Sequence, residues 1–241
     1  MKTGILTLAL VIALPPSMAR AQQTREAAQP VIVVSSMSQV EATPDEATVR
    51  LGVVRQAPTA QAAQDQTNRA AQAILTEIAK LGVPAAKIQT SRLTLTPIYA
   101  PQRPENREAP RIVTYNAANI VSIDLDNLAL IGPVIDAGLT SGANQLEGVR
   151  FGLKNDAAVR EKALRQAVAD ARRKAEAMAD ALGVRLAGVL EANEGGVSVI
   201  TQDEGVSARF MAAQAGGAST PVSPGELEVR ASVTVKYLIA R

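Results

Sequence analysis

The chain has 241 residues, 47% hydrophobic and 20% charged, with 25 Lys and Arg against 23 Asp and Glu and neither cysteine nor histidine. Lacking thiolate and imidazole, it cannot form disulfides, Ser-His-Asp or Cys-His nucleophiles, or zinc sites built from Cys or His. Three Tyr, two Phe and no Trp cannot supply the aromatic girdles of an outer-membrane barrel.

Lys2, the apolar stretch Gly4 to Leu14 and Ala19-Arg20-Ala21 have the charge, length and small-x-small ending of a secretory signal peptide over residues 1–21. The apolar run stops at Pro15-Pro16, short of the ~20 residues that span a bilayer. Cleavage after Ala21 leaves 220 residues. Lys2 and Arg20 leave with the signal, so 23 basic residues face 23 acidic ones in the mature chain. Such a balance carries no footprint for nonspecific nucleic-acid binding. A soluble, released exported species without a lipid-modified Cys is expected.

A polar leader, residues 22–30, precedes Val31-Ile32-Val33-Val34, which reads as a buried strand. Pro44-Asp45 turns into a second strand alternating Ala47, Val49, Leu51 and Val53 with Thr48, Arg50 and Gly52. Thr59 is placed to cap a helix with apolar positions Ala63, Ala70, Ile74, Ile78 and Leu81, which Gly82 and Pro84 stop. Ile88 to Ile98 predicts a third strand, Pro101 to Pro110 a loop, and Ile112 to Leu125 a fourth strand with Ile112 and Ile120 on the face opposite Val121, Ile123 and Leu125.

Leu128, Ile131, Val134, Ile135 and Leu139 have helical spacing interrupted by Gly132-Pro133. Proline suits a first turn, so the helix is expected mainly after it. Gln145 to Leu153 predicts a strand. Asn155 is then expected to cap the longest helix, Asp156 to Leu182, with an apolar stripe of Leu164, Val168, Ala171, Ala175, Met178 and Leu182. Val184 to Leu190 and Glu228 to Ile239 predict closing strands. Residues 194–225 between them, with Gly195-Gly196, Gly216-Gly217, Pro221 and Pro224, predict a flexible loop, with Phe210 and Met211 as candidate partner anchors. The elements predict an α+β chain in the order ββαββαβαββ.

Three clusters invite a chemical reading. Asp124 and Asp126 share one strand face, as a general acid/base pair or hard-metal ligands would, but strand termination and capping account for them without a third oxygen-rich group nearby. Pro44-Asp45-Glu46 reads as a turn. Arg172-Arg173-Lys174 spreads around about 200° of a helix beside Asp170 and Glu176, as a solvated, compensated face does. No Walker loop, dinucleotide fingerprint or Gly-x-Ser-x-Gly elbow occurs, so no catalytic, cofactor-binding or metal residue is assigned and no cofactor is expected.

Several short segments come in a recognisable order: Ala42-Thr43-Pro44-Asp45-Glu46-Ala47, Lys87-Ile88-Gln89-Thr90, Tyr115-Asn116-Ala117, Gly142-Ala143-Asn144-Gln145 with Phe151, then Ala163-Leu164 and Asp170-Ala171-Arg172-Arg173-Lys174-Ala175-Glu176. In this order and spacing, from about Val31 to Glu194 and again in the final strand, the chain resembles the SIMPL-domain family of bacterial periplasmic proteins, which includes periplasmic immunogenic antigens. The SIMPL-like domain spans 31–241. Where the family usually has glycines after the first strand, this chain has Ser35-Ser36-Met37-Ser38, so a local turn or bulge is expected to differ. The resemblance implies an α+β fold with helices packed on antiparallel sheets, an envelope location, association with oxidative or envelope stress, and a tendency to self-assemble, and it transfers no catalytic centre. The expected function is that of an exported, non-enzymatic, homo-oligomeric scaffold linked to envelope or oxidative stress. The alternative is a periplasmic protein binding a small molecule or peptide in a groove between helix and sheet.

Overall fold

A computed structural model describes residues 29–101, 109–200 and 220–241. The expected signal peptide, most of the expected leader and the candidate anchors Phe210 and Met211 lie outside the described residues. The elements are β1 (Val31–Ala42), β2 (Glu46–Ala57), α1 (Ala60–Lys80), β3 (Ile88–Tyr99), β4 (Ile112–Leu125), α2 (Ile131–Thr140), β5 (Gln145–Gly152), α3 (Ala157–Ala181), β6 (Arg185–Ile200) and β7 (Leu227–Ala240). The fold is α+β, in the expected order. All strand pairs are antiparallel and form two sheets, β1-β7-β6 and β3-β4-β2-β5.

The chain starts the three-stranded sheet with β1 and leaves it at Pro44. Between residues 46 and 152 it builds the whole four-stranded sheet with α1 and α2, then returns through α3 to finish the first. The four-stranded sheet presents Val49, Leu51, Val53, Val121 and Ile123 to Ile74 and Ile78 of α1 and to Ile131, Val134 and Ile135 of α2. Thr59 caps α1 as expected, its side chain accepting from the Ala62 N–H. The buried stripe of α1 runs Ala63, Thr67, Ala71, Ile74, Ile78, with Thr67 reaching the Ala117 carbonyl. Pro133 sits in the first turn of α2, two residues past its start at Ile131, because the first amides of a helix have no intrahelical acceptor to lose. Ile120 is fully buried on the opposite face of the sheet, whereas Ile112 is exposed near the strand's start. Gly52 is paired with Ile120, where a Cβ would lie 2.2 Å from the Asn119 carbonyl oxygen, so the backbones of β2 and β4 meet there without a side chain between them.

Three expectations need correction. Val31 to Val34 is not a strand buried on both sides. β1 runs on to Ala42 with strict alternation, Ile32, Val34, Ser36, Ser38 and Val40 inward and the odd positions outward. At Ser35-Ser36-Met37-Ser38, where a departure from the family's local geometry is expected, the strand is regular and pairs with β7 without a register break. Residues 194–200 are strand, not loop: β6 continues to Ile200, paired with β7 through Gly196 and past three register irregularities, and strand pairing overrides the Gly-Gly signal.

The third correction concerns α3. Its buried row is Ala163, Ala167, Ala171, Ala175 and Ala179, one methyl per turn, while Val168, Met178 and Leu182 of the expected stripe are exposed. Methyl-sized contacts let the helix lie close on β1 and β7, and Ser38 on the strand below donates to the Ala163 carbonyl at 2.6 Å. Asn155 does not occupy the cap position, which is Asp156, but its side chain accepts from the Ala157 N–H just inside the helix.

Candidate functional site

Asp124 and Asp126 are both spoken for. Asp124 is register-paired with Thr48, whose hydroxyl donates to it at 2.8 Å. Asp126 lies between the ammonium groups of Lys87 at 3.0 Å and Lys154 at 3.1 Å. The hydrogen bond from Lys87, then that from Lys154, holds the Asp126 carboxyl below its ordinary range. Beside it the two chain crossings between the sheets are tied together: the Asp45 N–H donates to the Gly152 carbonyl at 3.1 Å, and the Lys154 N–H to the Asp45 carboxylate at 2.7 Å. Asp45 and Asp126 therefore form a clasp around Lys154. Capping falls instead to Asn127, which accepts from the Ala129 N–H. Lys154, whose role had no local sequence signal, is the residue that joins the pieces. Among the described residues no three His, Cys, Asp or Glu side chains converge as metal ligands.

The basic run on α3 is compensated as its spacing predicts. Arg172 pairs with Glu176 and Arg173 with Asp170. Lys174 does something the sequence did not signal: its ammonium donates to the Ser35 carbonyl, on the neighbouring edge strand, at 3.0 Å.

Two features of the three-stranded sheet are open to partners. The first is a groove of about 560 Å³ between α3 and the beginning of β6, walled by Val168, Leu186, Val189 and Tyr237 and flanked by Arg172 and Arg185. It exists because the alanine row, not the larger side chains, packs down. Val168 is displaced to the flank of α3, where it faces the first residues of β6. Arg172 is engaged by Glu176, whereas Arg185 has no ion pair among the described residues.

The second feature is an edge. Among the described residues four strands end their sheets: β1 and β6 in one, β3 and β5 in the other. Three of them are irregular. β6 breaks register three times, β3 twice with Pro97 inside, and β5, eight residues long, breaks at Glu147. Bulges, prolines and short length are the ordinary means of keeping an edge from pairing with another chain. β1 has twelve residues, no bulge and no proline, and its first ten, Val31 to Val40, carry no charge. On its outward face Val33 is 49% and Met37 65% exposed.

A family model described as SIMPL, a protein of unknown function (DUF541), matches residues 32–237. The chain is 33% identical over 224 residues to the 26 kDa periplasmic immunogenic protein of Brucella melitensis, covering 91% of this chain and 89% of that one, and the same protein of Brucella abortus matches to the same extent. The uncharacterized protein YggE of Escherichia coli is 28% identical over 186 residues, 75% of this chain and 71% of the relative.

Proposed function

The chain belongs to the SIMPL family, and on that premise we propose that the mature protein is an exported, non-enzymatic periplasmic protein that self-associates and acts as an oligomeric scaffold linked to envelope or oxidative stress. The N-terminal sequence and the similarity to the periplasmic immunogenic protein of Brucella support a periplasmic location. No helix among the described residues is long and apolar enough to cross a membrane. The observation that carries self-association is the regular, uncharged β1 edge with exposed Val33 and Met37, in a fold whose other three edges are all interrupted. Asp124 is bonded to Thr48 within the four-stranded sheet and Asp126 is engaged by Lys87 and Lys154, so the carboxylates that looked most like chemistry are already occupied, which favours a non-enzymatic role. Light scattering on residues 22–241 across a range of concentrations tests the proposal. A discrete oligomer is the expected result, and a monomer at every concentration overturns it.

The α3–β6 groove favours a second reading, capture of a small molecule or peptide against its apolar wall. On that reading the protein is monomeric, and a ligand screen finds compounds that raise its melting temperature, an effect removed by Val189→Arg.

A further inference from the structure

We propose that the contact between subunits is β1 against β1: a second copy of this chain lays its own β1 antiparallel along the free edge, about a two-fold axis through Ser35, joining two three-stranded sheets into one of six strands. The inference rests on the self-association proposed above and names its surface.

The orientation of the backbone follows from one hydrogen bond. The Ile239 N–H donates to the Pro30 carbonyl at 3.1 Å, so residue 30 belongs to the set whose N–H and C=O groups face β7. Along an antiparallel pair this set alternates with residues that turn both groups away. With β1 and β7 in unbroken register, the even positions bond to β7 and the odd positions, from Val31 to Glu41, direct their amides and carbonyls to the open edge. The same odd residues project their side chains away from α3.

Edge-to-edge pairing therefore joins odd positions to odd positions. Among those registers, the one with Ser35 opposite Ser35 sets Val33 of each copy against Met37 of the other, so the two exposed apolar residues cover one another twice. Moving the register one step toward the C-terminus sets Val33 against Gln39, and moving it two steps sets Val33 against Glu41. In the chosen register Glu41 falls past the paired segment, and no charged side chain opposes another.

Lys174 is placed to regulate the contact. Its ammonium occupies the Ser35 carbonyl, the one outward acceptor of β1 that holds a side-chain donor among the described residues, and that carbonyl lies on the proposed axis. Pairing brings a partner's N–H to the same oxygen, where the lysine competes with it for the acceptor, so the lysine raises the concentration at which the edges join.

The absence of cysteine makes the test clean. In residues 22–241, Ser35→Cys brings two thiols to one hydrogen-bonded pair, with Cα atoms about 5.5 Å apart, within disulfide reach. Gln39→Cys puts them eight residues apart along the strands, roughly 27 Å. The expected result on mild oxidation is a disulfide-linked dimer from Ser35→Cys and none from Gln39→Cys. In light scattering, Val33→Lys/Met37→Lys, checked for folding by circular dichroism, shifts to a smaller species, and Lys174→Ala assembles at lower concentration than the unaltered chain. If the unaltered chain is oligomeric while Ser35→Cys fails to cross-link, or cross-links no better than Gln39→Cys, and the double lysine variant keeps its mass, edge pairing is overturned and self-association stands through another surface. If the unaltered chain is a monomer at every concentration, both are overturned.

Discussion

The two lobes solve the same problem, a helix on an antiparallel sheet, with different materials. In the four-stranded lobe the contact is made by Leu51, Ile74, Ile78, Ile123, Ile131 and Ile135, all essentially inaccessible. In the three-stranded lobe, α3 meets the sheet with five alanines, and Val229 is the one large side chain there buried to the same degree. The first lobe draws its stability from volume. The second relies on proximity, with many small contacts at short range and little apolar area per residue. The difference decides where the larger residues of α3 go. A helix that sits low on its sheet has no room beneath it, so Val168, Met178 and Leu182 are expelled to the flanks, and Val168 becomes part of the groove wall.

Mutations that exchange the two materials should separate the lobes. Ile78→Ala empties a site with no accessible surface, and a loss of about 2–5 kcal/mol by denaturant unfolding is expected. Ala171→Leu does the reverse, forcing a branched side chain into the alanine row, and is expected to cost about 1–3 kcal/mol. If instead it is neutral, α3 is not held by close approach and the contrast collapses. The α1 cap gives a smaller effect, with Thr59→Ala expected to lose about 1 kcal/mol.

The smallest effect is a pH dependence of opposite sign in two carboxyls. Asp126 is held below its ordinary value by Lys87 and Lys154, so its contribution is present above the unfolded carboxyl pKa of about 3.9 and disappears as pH falls through the lower folded value. Glu41, at the end of β1, is held above its ordinary value, first by a hydrogen bond with Glu226 and then by the charges of Glu226 and Glu228. Its contribution is present at low pH and is lost as pH rises through the folded value. Stability measured from pH 3 to 7, about the carboxylate range, should lose its acid-side decline in part with Asp126→Asn. With Glu41→Gln it should lose a weak rise toward acid.

The order of elements was legible because most strands alternate and the helices begin and end at recognisable stops. Residues 194–200 and the true face of α3 were not. The glycines at 195 and 196 signal a break, but β7 is long enough to keep β6 paired past them. For α3, alanine is ambiguous: it suits an exposed helical face and a tightly packed one equally, so although Ala171 and Ala175 of the expected stripe are buried, the larger Val168, Met178 and Leu182 drew the rest of it onto the flanks. A row of five alanines at every fourth position was the available clue. The clasp around Asp126 escaped for a different reason, since Lys87, Asp126 and Lys154 are far apart in the chain and only the return of β5 toward β2 brings them together.

The pairing of β1 with β7, Val31 against Leu238, has a consequence in time. Every strand of the four-stranded sheet lies between residues 46 and 152, so that lobe can complete itself while the chain is still being delivered. β1 arrives before all of it and finds its partner in the final residues, so closing the first sheet spans nearly the whole domain and is expected to be the late, slow step of folding. Until then β1 is unpaired on both sides. A strand that waits longest for its own partner is the one most exposed to another copy's.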